Sequence, residues 1–366
     1  MIIKLLVVSL AIGCTLARGP SSEDCTKWTG GPIDWPCDLT ESLYRNGGKY
    51  ISKNVIATRA VVWKDSAIVA LPRFKKGVPI TLGIIPLFCK VGYPSLSPYP
   101  CWSVQEEGNC GAFQSVVDLF LDPQHILWVL DTGIVDSLEP QPVRTCSPKV
   151  VAINVKTGKM VKTIDLSGMA TSTSRLQYVV ADYSADGRAF IYVTDAATRA
   201  ILVYDVTSGQ GYRVVLPKAT TVGCAKRDVL YPSLIHRPDG SGVLLISYLS
   251  GSRLFSVRTE LLQNGAAAGK IHDLGPKPKK MVMLGTDNGS AVFFRYEGEQ
   301  PIYRWDVCTP FSEKNFLKVY EGDGYAFASE VIPDYKRGRM RVLESNFPDF
   351  IRGTVGVGVD HSLTIM

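Results

Sequence analysis

The 366-residue chain is 46% hydrophobic and 20% charged, a composition typical of globular proteins and not of disordered ones. Its net charge of +6 at pH 7 is small for this length, and its lysines and arginines occur only in pairs and short groups, which argues against nucleic-acid binding. No apolar run approaches the roughly 20 residues that a membrane-spanning helix needs, which argues against a membrane protein.

Residues 1–17 have the features of a secretory signal peptide. Lys4 supplies a positive charge, residues 5–12 form an apolar core, and Thr15 and Ala17 are the small residues that precede a cleavage site. A buried N-terminal strand is the alternative. The pattern predicts a secreted, extracellular protein whose residues 18–366 form a single domain, beginning with a polar and irregular arm at residues 18–50.

The cysteine content agrees with an oxidising compartment. Cys14 would leave with the signal peptide, and the even number that remains predicts disulfides. Their spacing leaves the pairing open, and no C-x-x-C motif indicates a zinc ribbon or a redox site. The disulfide candidates are Cys25, Cys37, Cys89, Cys101, Cys110, Cys146, Cys224 and Cys308.

The first strands are expected within residues 55–73. Residues 71–86 follow, where prolines and a glycine interrupt regular structure and Arg73 marks the passage to the next structural unit. Residues 87–112 form a long loop rich in Cys, Pro and Gly, and long ordered loops are often functional.

One short pattern recurs along the whole chain, a turn that contains Asp followed by a buried strand. Residues 122–133, DPQHILWVLDTG, are its clearest copy. Several copies continue with two further strands joined by a turn, such as the one at residues 156–159. A unit that recurs roughly every 50 residues is typical of a propeller blade. The turn aspartates are Asp65, Asp122, Asp186, Asp239, Asp287 and Asp334.

We therefore predict an all-β fold, a six-bladed β-propeller of four-stranded antiparallel blades. Each unit is a small sheet that cannot bury both faces alone, and a closed ring covers those faces. The tail at residues 353–366 is expected to supply a last strand that closes the ring against the N-terminal one. A β-sandwich in which the spacing arises by chance is the alternative.

Catalytic motifs are absent from the sequence, and we predict no catalytic residue, no metal site and no cofactor. Carboxylates at equivalent strand ends, Asp131, Asp195 and Glu344, would gather at one rim of a propeller, where they can attract a cationic amine. The alternative is that they cap turns by accepting backbone N–H groups.

Aromatic residues in the late copies of the repeat supply the apolar part of an amine site, because the face of an aromatic ring attracts an ammonium group. Packing between blades is the alternative for these residues, which are Phe293, Phe294, Tyr296, Phe327 and Phe347. One N-glycosylation sequon, Asn288-Gly289-Ser290, falls in a predicted turn.

Four stretches resemble the yellow / major royal jelly protein family of insects: ALPRFKKGVPITL, DPQHILWVLDTG, YVVADYSADGRAFIYVTDAATRAILVYDV and LESN. The resemblance covers about residues 33–350 and implies a secreted six-bladed propeller. Family members are tied to cuticle pigmentation, melanin chemistry, eggshell hardening and nutrition. Some salivary relatives bind biogenic amines in the central pocket, and a few are reported as dopachrome-converting enzymes.

The resemblance also implies ligand-binding positions, and Ser329, Asn346 and Phe347 match them approximately. Phe347 replaces the arginine usual in the family, and the cysteine usual near His125 is absent. Such divergence resembles the eggshell-associated branch.

Two functions follow as hypotheses. The first, which we favour, is a non-enzymatic protein of an extracellular layer such as cuticle or eggshell, with matrix proteins as partners, that binds a small aromatic amine or catechol-derived ligand. The second is an isomerase or tautomerase that converts dopachrome. A storage role is a third, weaker reading.

Overall fold

The computed structural model describes residues 25–88, 94–322 and 324–366, without the side chain of Cys25. The strands are β1 (Cys25–Trp28), β2 (Arg59–Trp63), β3 (Ser66–Ala70), β4 (Leu82–Pro86), β5 (Ser97–Pro98), β6 (Val116–Leu121), β7 (Ile126–Asp131), β8 (Ile134–Val135), β9 (Val143–Arg144), β10 (Lys149–Asn154), β11 (Lys159–Asp165), β12 (Leu176–Tyr183), β13 (Ala189–Asp195), β14 (Ala200–Asp205), β15 (Gln210–Val215), β16 (Leu230–His236), β17 (Gly242–Tyr248), β18 (Arg253–Arg258), β19 (His272–Pro276), β20 (Met281–Thr286), β21 (Ala291–Tyr296), β22 (Ile302–Asp306), β23 (Phe316–Tyr320), β24 (Phe327–Asp334), β25 (Arg339–Ser345) and β26 (His361–Ile365). The helices are α1 (Asp38–Asn46), α2 (Thr259–Gln263) and α3 (Phe347–Arg352). None of them, among the described residues, is long and apolar enough to cross a membrane.

Six four-stranded antiparallel sheets form the blades, and the predicted six-bladed propeller is confirmed. Blade 1 is β2-β3-β4-β5, blade 2 is β6-β7-β10-β11, blade 3 is β12-β13-β14-β15, blade 4 is β16-β17-β18-β19, blade 5 is β20-β21-β22-β23 and blade 6 is β24-β25-β26-β1. The small hairpin β8-β9 is an insertion in blade 2. Apolar side chains between adjacent blades form the cores.

The two ends of the described chain close the ring. β1 pairs with β26, so that Cys25 lies opposite Thr364 and Trp28 opposite His361. The tail therefore supplies a strand of blade 6, as predicted. The arm predicted as irregular contains β1 and also α1, whose Glu41 and Arg45 side chains pair at 2.7 Å one turn apart. Residues 1–17 lie outside the described residues, so the signal peptide and the domain limits stay predictions.

The recurring aspartates shape the turns between the first and second strands of the blades. Asp122 accepts hydrogen bonds from the backbone N–H groups of Gln124 (2.8 Å) and Ile126 (2.9 Å), and Asp287 does the same for Gly289 and Ala291. An Asp that bonds its own turn explains why this residue type recurs. We call the face that carries these turns the lower face and the opposite face the upper face.

Arg73 lies in the loop between β3 and β4, inside blade 1, and not at the passage between two blades that the sequence predicted. Its guanidinium nevertheless contacts the segment that leads from blade 1 to blade 2. The guanidinium is buried and donates to five backbone carbonyl oxygens at 2.5–3.2 Å, and its Nε lies 3.7 Å from a carboxylate oxygen of Glu107, so the buried cation is satisfied. The acceptors are the carbonyls of Val78, Pro79, Gln105, Phe113 and Gln114.

One disulfide joins Cys110 to Cys146. Cys37, Cys101, Cys224 and Cys308 are free thiols in the structure. Cys89 lies outside the described residues, as does the side chain of Cys25, so nothing tests their pairing.

A buried histidine lies at the ring closure. The His361 ring stacks on Trp28 with centroids 4.9 Å apart, and its Nε2 accepts the backbone N–H of Ala57 at 2.9 Å. Burial lowers the pKa of His361 to about 3, so the unfolded chain, with a His pKa near 6.5, binds the proton first. The stability that depends on neutral His361 is therefore present above pH 6.5 and is lost as pH falls towards 3.

We expect His361→Gln to remove this dependence. The wild type should lose about 1.4 kcal/mol of unfolding free energy per pH unit more than the variant between pH 6 and pH 4. Urea denaturation of both proteins at a series of pH values measures the difference. Because other groups titrate equally in both proteins, parallel stability curves would show that His361 does not control the closure.

Candidate functional site

A cavity of about 120 Å³ occupies the centre of the ring, lined by the first strands of all six blades. On β2 its lining begins at Arg59, and on β24 it begins at Glu330. At the lower face the lining includes Asn288 and Tyr335, and Tyr335 is 62% exposed, so the cavity reaches solvent there.

Arg59 is the hub of the upper end. Its Nε lies 3.2 Å from an oxygen of Asp118, and its Nη1 donates to the carbonyl oxygens of Thr58 (3.2 Å) and Ser329. Its Cζ lies 4.8 Å from the centre of the Tyr178 ring. One side chain thereby connects blade 1 with blades 2, 3 and 6.

Two carboxyl groups flank this guanidinium, and each also accepts a backbone N–H from a neighbouring blade. Asp118 accepts from Val179 at 2.7 Å, and Glu330 accepts from Ala60 at 2.6 Å. Burial raises the pKa of Asp118 to about 7, although the nearby Arg59 opposes the shift. Burial raises the pKa of Glu330 to about 8, opposed by Arg59 and reinforced by Asp118.

The guanidinium itself stays charged. Burial alone would lower the pKa of Arg59, but Tyr178, Glu330 and Asp118 outweigh it and raise this pKa above its ordinary value. The cluster therefore carries a net negative charge only when both carboxyl groups are ionised.

Two tyrosines form an aromatic wall beside the hub. The Tyr178 and Tyr231 rings lie 5.4 Å apart at an angle of 33°. Burial raises the pKa of both phenols, so neither is ionised at neutral pH. Tyr231 is only 6% exposed and lines the cavity, and within the described residues its hydroxyl has no hydrogen-bond partner. A tyrosine hydroxyl without a protein partner in the wall of a cavity is suited to a polar ligand atom.

Side chains and turns form a belt of contacts between blades around the lower mouth. Each adjacent pair of blades contributes at least one contact, which holds the mouth in a fixed shape. In order around the ring they are Trp63 with His125 (5.0 Å between rings), Asp122 with Tyr183 (2.6 Å), Asp182 with His236 (3.0 Å), His236 with the Asn288 carbonyl (3.3 Å), Asn288 with Tyr335, and Arg337 with Asp65 (2.7 Å).

The strand-end carboxylates Asp131 and Asp195 do not line the cavity. Both are fully buried, and their oxygens accept hydrogen bonds close to their own strand ends, which is the capping geometry of the alternative reading. Asp131 accepts from the N–H groups of Gln114, Ser115 and Gly133, and Asp195 from the Arg175 N–H and the Ser174 hydroxyl. Glu344 accepts from the Tyr320 hydroxyl at 2.9 Å. A ligand role for them stays a prediction.

The positions carried over from the resemblance lie nearer the upper face and outside the cavity lining. Ser329 precedes Glu330 on β24, and its hydroxyl donates to the Leu343 carbonyl at 3.3 Å. Asn346 is buried and accepts the Asp360 N–H at 3.0 Å, whereas Phe347 is 37% exposed at the start of α3. Their role in ligand binding stays a prediction.

The late aromatic residues mostly pack between blades. Phe293, Phe294 and Tyr296 are buried in the cores around blade 5, and Phe327 lies against the Arg295 guanidinium at 5.2 Å. In the part of the chain that the structure describes, no group of three or more His, Cys, Asp or Glu side chains is placed to hold a metal ion.

Sequence comparison relates the chain to one family. The family model described as "Major royal jelly protein" matches residues 114–361, more than half of the chain. Major royal jelly protein 1 of Apis mellifera is 27% identical over 175 residues, which are 46% of this chain and 39% of that protein. Dopaminechrome tautomerase of Drosophila melanogaster is 28% identical over 172 residues, 46% of this chain and 37% of that protein.

Other matches extend further. Protein yellow of Drosophila guanche is 22% identical over 380 aligned residues, which cover 95% of this chain and 66% of that protein. Among solved structures, an α-L-arabinanase of Penicillium chrysogenum complexed with arabinobiose has a TM-score of 0.55 at 11% identity and covers 95% of this chain and 98% of its own, which shows a shared fold alone. The chain thus spans well under two thirds of several curated relatives. With the match to residues 114–361 and the propeller on which it falls, the chain belongs to the major royal jelly protein family.

Proposed function

We propose that the protein binds a small aromatic or catechol-derived amine in the central cavity. The observation that carries this proposal is the pair of carboxyl groups at the upper end of the cavity, buried Asp118 and half-buried Glu330, beside the aromatic wall of Tyr178 and Tyr231. Arg59 balances one carboxylate, and the second is left to pair with the ammonium group of a ligand.

The aromatic half of such a ligand matches the remaining lining. Offset or tilted aromatic pairs contribute about 0.5–1.5 kcal/mol beyond area burial, and an ammonium over a tyrosine face contributes a similar amount. Below the hub the lining is largely apolar, with Val61, Leu119, Val180 and Leu234 among its residues. A single-ring amine suits a cavity of about 120 Å³.

We further propose that the protein acts outside the cell, in the hardening or pigmentation of an extracellular layer such as cuticle or eggshell. The support is the family resemblance, the N-terminal sequence pattern and the Cys110–Cys146 disulfide, since disulfides persist in oxidising compartments. Matrix proteins are the partners that this role implies. Ligand binding in the cavity is compatible with it and requires no catalysis.

Calorimetric titration with dopamine and serotonin tests the binding site. We expect Glu330→Gln, which keeps an acceptor for the Ala60 N–H, to bind about tenfold more weakly because the carboxylate charge is gone. Glu299→Gln, on an exposed carboxylate paired with Lys279, serves as the matched control and should bind like the wild type.

Two outcomes would contradict this assignment. Absence of heat with every amine removes the binding function. Weaker binding in Ser329→Ala or Asn346→Ala, together with unchanged binding in Glu330→Gln, places the ligand at the upper face instead.

Amine affinity should rise with pH between about 6 and 9. Below the pKa values of about 7 and 8, Asp118 and Glu330 are protonated, and Arg59 leaves the cluster positive, which repels an ammonium group. Above them the cluster is negative, while an alkyl ammonium with a pKa near that of Lys, about 10.4, is still charged. Titration at several pH values measures this, and binding near pH 7 should release a proton. A falling affinity over this range would contradict the role of the two carboxyl groups.

A second function is favoured by the same pKa values. Asp118 and Glu330 titrate close to physiological pH, which suits general acid–base catalysis, and one relative is named a dopaminechrome tautomerase. In that case one carboxyl group accepts a proton from the ligand while the other donates one.

A spectrophotometric assay with dopaminechrome separates catalysis from binding. If the protein is a tautomerase, Asp118→Asn and Glu330→Gln should each lower kcat by about a hundredfold or more, the usual contribution of a general acid or base. Decay no faster than the buffer blank rejects the enzyme and leaves the binding function intact.

A further inference from the structure

The glycosylation sequon lies at the lower mouth of the cavity. Asn288 occupies the turn between β20 and β21 with a φ of +61°, a conformation that Asn adopts more readily than most residues. It is part of the cavity lining, and its carbonyl oxygen accepts from the His236 ring. The side chain of Asn288 therefore stands at the rim of the opening.

The direction of this side chain is fixed by the next blade. The Asn288 Nδ2 donates a hydrogen bond to the hydroxyl of Tyr335, which follows β24 of blade 6. The amide thus extends along the rim from blade 5 to blade 6, and Tyr335 presents an exposed ring beside it. Asn288-Gly289-Ser290 is the only N-x-Ser/Thr sequence in the 366 residues.

We propose that Asn288 carries an N-linked glycan whose first sugar packs on the Tyr335 ring and covers the lower mouth, so that the glycan limits ligand access to the cavity. The part that concerns ligand access rests on the function proposed above, whereas glycan occupancy and the shielding of Tyr335 do not.

The chemistry of attachment is compatible with the contact. The Asn288 Nδ2 attacks C1 of the first sugar of a lipid-linked oligosaccharide pyrophosphate, so that a C–N bond forms and the bond from C1 to the pyrophosphate oxygen breaks. Nδ2 loses one proton, and the lipid pyrophosphate leaves. A substituted amide keeps one N–H, which can still donate to Tyr335. The apolar face of a sugar stacks well on a phenol ring, which the exposed Tyr335 offers.

The first measurement is glycan occupancy in protein secreted from a eukaryotic cell. The mass of the intact glycopeptide is required, because spontaneous deamidation of the Asn288-Gly289 pair gives the same mass change as enzymatic removal of a glycan. We expect the wild type and Ser290→Thr, which keeps the sequon, to be occupied. Ser290→Ala, which keeps Asn288 and its bond to Tyr335, should be unoccupied.

Nitration by tetranitromethane then reports the shielding of Tyr335 without any ligand. We expect Tyr335 to react about fivefold more slowly in the glycosylated wild type than in Ser290→Ala, because a glycan is bulky. Tyr325, which is 58% exposed and whose hydroxyl accepts from the upper-face residue Asn346, is the internal control and should react equally in both. The association rate constant for dopamine should be about tenfold higher in Ser290→Ala than in the glycosylated wild type. The contacts between dopamine and the cavity should be the same in both proteins.

Each outcome bears on the proposal. An unoccupied Asn288 in the secreted wild type overturns it, and so does equal nitration of Tyr335 in occupied and unoccupied protein. Occupancy and shielding without any dopamine binding would support the glycan and reject the amine-binding function separately. Asn288→Gln provides a second unglycosylated protein if Ser290→Ala does not fold.

Discussion

The pairing of β1 with β26 is the interaction on which the rest of the structure depends, because it turns a row of blades into a closed ring. Blade 6 takes three strands from the C-terminal end of the chain and its outermost strand from the N-terminal end. His361 extends this closure to blade 1, since its ring stacks on Trp28 and its Nε2 accepts the Ala57 N–H. Only a closed ring brings the first strands of all six blades around one cavity.

Arg59 depends on that closure and also reinforces it. Its guanidinium contacts Asp118 in blade 2, Tyr178 in blade 3 and the Ser329 carbonyl in blade 6, so it joins the last blade of the chain to the first three. A buried charge is stable only when its partners are present, and removal of one partner leaves the other charge uncompensated. The burial that makes the cluster costly for stability also raises the pKa values of Asp118 and Glu330, and these raised values underlie the pH dependence that we propose for amine binding.

The fold was predictable from the sequence because its signals are local. Asp122 and Asp287 bond backbone N–H groups within their own turns, so each copy of the repeat is set by a few adjacent residues. The cavity was not predictable in the same way, because Arg59, Asp118 and Glu330 belong to blades 1, 2 and 6 and meet only in the closed ring. A signal does exist, since each is a charged residue directly before an apolar run in a first strand. One charge in one strand does not indicate which other strands it will face.

The two ends of the cavity differ in what a substitution there can change. Arg59 limits the upper end, and its contacts are shared among four blades, so a change there alters the proposed ligand site and ring integrity together. The lower mouth is bounded by turns whose backbone is satisfied locally, as at Asn288, whose N–H donates to Thr286 at 3.2 Å. Side chains such as Tyr335 can therefore vary, or a sugar can be added, while the polar hub keeps its geometry. Access to the proposed ligand site is thus separable from recognition within it, because loops that tolerate substitution surround the lower mouth of the cavity and charged residues that do not tolerate it line the upper end.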